Sequence, residues 1–263
     1  MGAATFDAYV RSWTVVLAIL CGLLVLLGVY HVRALPAGGG AAERHSLRDG
    51  LSGLKEVVGA FFQKKHIWYY LGFIILYRLG EGFVMKIVPL FLKADTASGG
   101  LGLTNQQIGL YYGTFGAGAF LLGSLLAGYY IAHRGLRRTL FILCCIFNIP
   151  FAVYALLAWL QPQSMWIVGG GIVLEYFGYG FGFVGLTLFM MQQVAPGRHQ
   201  MAHYAFASGI MNLSVMLTGA VSGYLSDALG YGMFFLAVML ATVPAFLVTW
   251  FVPFTYDDKP NDK

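Results

Sequence analysis

The sequence predicts an all-α integral membrane protein of about seven transmembrane helices. Three observations carry that reading. Apolar residues make up 59% of the 263-residue chain and charged residues only 10%. Mean hydropathy is +0.72. Apolar stretches recur along the chain, each long enough for the roughly 20 residues that a helix needs to cross the hydrocarbon core. A soluble domain of this length requires far more polar surface, whereas a helix in lipid can be apolar all round.

The expected spans are 13–32, 67–92, 106–131, 139–160, 164–191, 202–227 and 230–253. The first, Trp13 to Val32, follows Asp7 and the single base Arg11. It lacks a basic n-region and a small-residue cleavage site, so it reads as a true span rather than a signal peptide. The others exceed the minimum length, which implies tilt or extension into the interface.

Loop charges alternate. Arg33, Arg44, Arg48, Lys55, Lys64 and Lys65 lie between spans one and two. Arg134, Arg137 and Arg138 lie between three and four, and Arg198, with His199 and His203 nearby, between five and six. The other loops are poor in bases: Lys93 with Asp95, then Gln161-Pro-Gln-Ser164, then Asp227. This asymmetry places the basic loops in the cytoplasm, the N-terminus outside and the C-terminus inside. It also accounts for the net charge of +5 without nucleic acid, because the bases sit in short clusters between apolar runs. Cys21, Cys144 and Cys145 all fall inside apolar runs and read as buried small side chains rather than metal ligands or a disulfide.

The stretch 33–66 is a linker. Pro36-Ala-Gly-Gly-Gly40 breaks any helix. Residues 46–62 then read as an amphipathic helix capped by Ser46, with Leu47, Leu51, Leu54, Val57, Val58, Phe61 and Phe62 at helical spacing and Arg48, Asp49, Lys55 and Glu56 on the other face. Such a helix beside a basic membrane surface belongs in the interface plane.

Charges inside spans are the sharpest chemical signal. Arg78 and Glu81, three apart, share one face of the second span. Lys86 follows, nearer its outer end, and Glu175 falls near the middle of the fifth span. Each central charge costs roughly 2.5–3.5 kcal/mol on insertion scales, so it must pair or face a polar cavity. Two readings stay open: a solute or proton pathway, or an ion pair that locks helices together. Lys86 can also snorkel outward. The spacings Gly109-x-x-x-Gly113, Gly178-x-x-x-Gly182 and Gly219-x-x-x-Gly223 read as close helix packing. Tyr111 and Tyr112 read as interfacial anchors or as residues at a cavity mouth. No G-x-S-x-G, H-E-x-x-H or P-loop occurs. The chain therefore reads as a non-enzyme with no cofactor and no metal.

Several stretches resemble a known family. Leu76-Tyr-Arg-Leu-Gly-Glu-Gly-Phe83, Pro89-Leu-Phe-Leu92 and Gly102-Leu-Thr-Asn-Gln-Gln-Ile-Gly109 are similar to the seventh helix and following loop of AmpG-type muropeptide permeases, a branch of the major facilitator superfamily. The run from Glu175 to Gly185 resembles that family's tenth helix, and residues 203–235 its eleventh helix and the start of its twelfth. A weaker motif, Gly128-Tyr-Tyr-Ile-Ala-His-Arg-Gly135 followed by Arg137 and Arg138, resembles the G-x-x-x-D-R-x-G-R-R loop between helices eight and nine. Ala132 stands where that motif has Asp, and His133 where it has Arg, so a gating charge network there is in doubt while Arg134, Arg137 and Arg138 keep their positive-inside role.

The resemblance implies that the seven spans correspond to helices six to twelve of a twelve-helix transporter with an incomplete N-terminal half. The implied organisation is an external N-terminus and first helix (1–32), a cytoplasmic linker (33–66), a six-helix transporter half (67–254) and a cytoplasmic tail (255–263). It implies transport by alternating access between two six-helix halves, with Arg78, Glu81 and Glu175 on the pathway-lining helices seven and ten. The implied partners are membrane lipid, protons and a small solute such as an anhydro-muropeptide, and the chain is either a truncated transporter or one that pairs with a separately encoded N-terminal half. The rival reading is a seven-helix receptor or scaffold subunit, for which the N-out, C-in topology also fits.

Overall fold

The computed structural model describes residues 3–35 and 47–256, with side chains over 7–35 and 53–256. The Pro36–Gly40 break, the Ser46 cap and the tail from 257 onward lie outside the described residues. Those described are helical and without strands, and they fall into two units that meet between Gly50 and Leu51.

The first unit carries α1 (Ala3–Ala34), whose stretch Asp7–Ala34 is long and apolar enough to cross a membrane. Its side chains are exposed on every face, as suits a helix whose solvent is lipid.

The second unit begins within α2 (Leu47–Phe62) and continues with α3 (Ile67–Tyr77) and α4 (Leu79–Lys93). After the short α5 (Asn105–Ile108), a π-helical segment, Gly109–Phe115, leads into α6 (Gly116–Arg134). Next come α7 (Leu136–Asn148), a 3₁₀ turn at Ile149–Phe151 and α8 (Ala152–Leu160). The last helices are α9 (Met165–Phe189), continued by a π segment at Met190–Val194, and α10 (Gln200–Trp250).

Five helical stretches, α1 included, are long and apolar enough to span. The expected seven segments are recovered when two of them are read physically. At 51 residues α10 is far longer than a bilayer needs, since about 20 residues cover the hydrocarbon core. It is two helices, 200–229 and 231–250, joined at Gly230, whose φ of 70° and ψ of 161° no helix adopts. The second expected span is in turn broken into α3 and α4 by the single residue Arg78, at φ −101° and ψ 8°. The fourth is interrupted at Pro150, which cannot donate to the helical ladder.

Contacts between loops sort the ends of the unit. Lys64 Nζ donates to the carbonyls of Val194 (2.6 Å) and Pro196 (2.7 Å). The Gln193 side chain accepts from the backbone N–H groups of Thr255 and Tyr256 and donates to the Tyr256 carbonyl. Arg137 lies over the Phe254 ring. The base-rich loops therefore share one end. At the other, Gln161 Nε2 donates to the Gly99 carbonyl at 2.9 Å, and Tyr231 meets Phe91. Because 200 and 250 both lie near the first end, the two parts of α10 run in opposite directions.

From Gly53 onward the expected apolar face of α2 is covered only in part: Phe61 is buried and Val57 and Val58 are half-buried, while Leu54 (52%) and Phe62 (41%) are exposed. Phe61 is buried against Phe206, Val57 offers its carbonyl to His203 Nε2 (3.1 Å), and Glu56 pairs with Arg198. Lys55 and Glu56 stay exposed.

The packing core is α9, clasped between α6 and α7. A Cβ at Gly180 would stand 2.1 Å from the Phe120 carbonyl oxygen of α6, and one at Gly123 would stand 2.3 Å from the Phe177 carbonyl oxygen of α9. On the opposite side, a Cβ at Gly178 would meet the Ile146 carbonyl oxygen at 2.4 Å, and one at Gly182 would meet Phe147 at 2.2 Å. The helices touch backbone to backbone, which is what small residues permit in lipid. The expected packing role is thus seen at Gly178 and Gly182. It is not seen at Gly109, Gly113 or Gly223, where a Cβ would meet nothing within 4 Å.

Adding bulk at the crossing should therefore destabilise. Gly180→Leu and Gly123→Leu are each expected to lower unfolding free energy in detergent by about 1–3 kcal/mol or more, since the helices must separate. Gly128→Ala, in open space, is expected to change it by no more than about 0.5 kcal/mol. Equal effects at the three positions would contradict this packing.

Candidate functional site

The site begins at the helix break. Arg78 has non-helical backbone, and α4 restarts one residue later with Glu81 in its first turn, where the helix dipole favours a carboxylate. The Arg78 guanidinium grips that carboxylate in two places, Nε to Oε2 and Nη2 to Oε1. Both residues are buried, 4% and 2% exposed, so the pair is shielded from solvent screening. The guanidinium also lies over the Phe183 ring of α9, 5.3 Å from its centre.

Glu175 reaches the same place from α9. It is 5% exposed, and its Oε2 accepts a hydrogen bond from the Tyr154 hydroxyl of α8 at 2.8 Å. The Tyr154 ring is fully buried and stacks on Phe235. Between α4, the π segment, α8 and α9 lies a cavity of about 40 Å³. Its lining includes Glu81, Glu175, Tyr112, Tyr154, Tyr176 and Tyr179. That is room for water and little else. Both carboxyl groups line it; Glu81 is held by the Arg78 guanidinium and Glu175 by the Tyr154 hydroxyl.

The sequence-derived residues divide accordingly. Arg78, Glu81 and Glu175 come together, although they are 97 residues apart at the extremes (175 − 78). Lys86 does not join them: it is exposed, and its stem lies over Gly219 of α10, the geometry of a snorkelling lysine. The loop-motif residues form a separate feature at the base-rich end. Gly135 takes φ 77° to end α6 and start α7, Arg134 lies over Tyr130, Arg137 over Phe254, and Arg138 is exposed. A Cβ at Gly128 would meet nothing within 4 Å. His133, in the place of the motif's Arg, bonds the Tyr129 carbonyl within its own helix.

Tyr154, Tyr176 and Tyr179 join the site without having been singled out in the sequence. Tyr179 sits four positions after Glu175 and shares its face, a signal available from spacing. Tyr112 lines the cavity, which favours the cavity side of the earlier alternative; the π turn is what separates it from Tyr111, which packs at Gly169. Tyr154 lies on another helix, and no local pattern connects it with Glu175.

Comparison with known proteins fits this architecture. The chain is 26% identical over 188 residues to the anhydromuropeptide permease of Escherichia coli strain K12, an alignment that covers 72% of this chain and 37% of the permease. It is 24% identical over 195 residues to a Rickettsia bellii protein named "Putative transporter AmpG 2", covering 73% of this chain and 46% of that one. The chain thus spans less than half the length of these curated relatives. The family model described as Major Facilitator Superfamily matches residues 75–263, which takes in α4, the cavity and every helix after it, and the chain belongs to that superfamily.

Proposed function

We propose that residues 67–254 form one six-helix half of a solute pathway that works by alternating access, with Glu81 and Glu175 as proton-responsive groups. The observation that carries this reading is the shared cavity, which two buried carboxyl groups line, only one of them paired with a guanidinium. A structural ion pair needs only Arg78 and Glu81. Glu175 is surplus to such a lock, and a lone carboxylate in a membrane interior is retained at a cost of roughly 2.5–3.5 kcal/mol. A group that takes and releases a proton during transport accounts for it.

In this reading Arg78 is the charge partner of Glu81 in one state and a contact for an anionic solute group in another. The cavity is far too small for a solute, so the arrangement represents a closed half-site that opens when the helices around the Arg78 break move. The solute class suggested by the relatives is an anhydro-muropeptide or a related sugar–peptide bearing carboxylates, which a buried guanidinium suits. A second half, supplied by preceding helices or by a separate chain, completes the pathway. The base-rich end faces the cytoplasm, in keeping with the positive-inside rule.

Two outcomes follow. In inner-membrane vesicles containing the complete transporter, anhydro-muropeptide uptake should depend on an imposed proton gradient, and Glu81→Gln or Glu175→Gln should abolish that dependence. Unchanged gradient-driven uptake in both variants would remove these residues as coupling groups. Arg78→Ala should destabilise the six-helix unit by about 3–5 kcal/mol in denaturant titration, because it strands the buried Glu81 carboxylate, and Glu81→Gln in the same chain should recover most of that loss. No recovery would show that Arg78 acts through packing alone.

A further inference from the structure

Glu175 owes its position to a residue outside its own helix. Among the described residues, the bond from the Tyr154 hydroxyl is the hydrogen bond its carboxyl group receives. That hydroxyl is held from several directions. Tyr154 stands in the first turn of α8, directly after the 3₁₀ turn that Pro150 forces. Its ring is fully buried and lies on Phe235, with centres 5.7 Å apart and planes 30° apart. Backbone and ring together fix where the hydroxyl oxygen stands.

We propose that Tyr154 is a positioning residue of the site: its hydroxyl aims the Glu175 carboxyl group into the cavity and sets how readily that group takes a proton. The proposal rests on the reading that Glu175 responds to protons. An O–H donated to a carboxylate stabilises the ionised form. The other groups that face Glu175 act differently. Tyr176 and Tyr179 from α9 and Tyr112 from the π segment line the cavity without a hydrogen bond to the carboxyl group, and Glu81 is occupied by Arg78. Tyr154 is thus the contact through which α8 bears on the titration of α9.

The test uses the whole chain, reconstituted in lipid vesicles and titrated under infrared observation of protonated carboxyl bands. Glu175→Gln identifies which band belongs to Glu175. In Tyr154→Phe, which keeps the ring, the midpoint of that band should move to higher pH by about one to two units, the effect of losing one hydrogen bond to a charged group. The band frequency should change with it. A variant that melts at lower temperature but keeps the original midpoint and frequency would overturn the proposal, because Tyr154 would then be structural only. If Tyr154→Phe does not fold, Phe235→Leu keeps the hydroxyl while loosening its ring support. Its midpoint should shift in the same direction, and an unmoved midpoint overturns the proposal. A shifted midpoint alongside gradient-independent uptake would leave this role standing and remove the proton-coupling reading; no titrating Glu175 band at all would overturn both.

Discussion

The interior of a bilayer offers no water to an unpaired charge or an open backbone group, and this constraint organises the six-helix unit around Arg78. At that residue the helix stops and restarts, with the Arg78 N–H donating to the Leu76 carbonyl and the Arg78 carbonyl accepting from the Gly82 N–H. Non-helical backbone there is tolerated only where protein buries it or a polar cavity receives it. Both conditions hold. Tyr77 beside the break is fully buried and donates to the Gly182 carbonyl of α9, and Arg78 is held by Glu81 and the Phe183 ring. A break, a buried ion pair and a cavity thus occur together because each makes the others tenable.

Close approach of α9 to its neighbours supplies the rest. Glycines on two sides of one helix let α6 and α7 come within backbone contact, so that Glu175 on α9 is carried to the α4 charges without long side chains filling the gap. The same closeness leaves the cavity small. It also gives the break a mechanical meaning: α3 and α4 both pack against α10, so a change of angle at Arg78 would be felt there as well as at Glu81. On the proposed reading, protonation at Glu175 or arrival of a solute anion at Arg78 weakens the hold that keeps this half-site closed.

Much of this was legible from residue types. Hydropathy located the spans because the lipid requirement acts on every residue of a segment, and it separated the two helices that meet at the Gly230 kink of α10. Arg78, Glu81 and Glu175 stood out because charge in an apolar run is costly. What the sequence could not disclose was contact between distant segments. The Tyr154 hydroxyl bond to Glu175 joins residues on different helices, and an aromatic in an apolar run raises no alarm by itself. The break at Arg78 was hidden for a different reason: no proline or glycine stands at that position. The glycine spacings, finally, were right at 178 and 182 and empty at 109 and 113, because spacing marks a surface that can be approached and not the helix that approaches it.

The central claim is that the polar cluster lies on a route that water and solutes reach, and is not a sealed lock between helices. Met85 allows a direct measurement, since it lines the cavity beside Glu81 and is 45% exposed, whereas Leu240, 73% exposed, lies on the apolar outer surface. With Cys21, Cys144 and Cys145 replaced by alanine, a membrane-impermeant, positively charged thiol reagent can be applied to Met85→Cys and Leu240→Cys in intact vesicles. Modification of Met85→Cys with Leu240→Cys untouched is the result this account requires; equal protection of both positions, in either vesicle orientation and with or without a proton gradient, would contradict it.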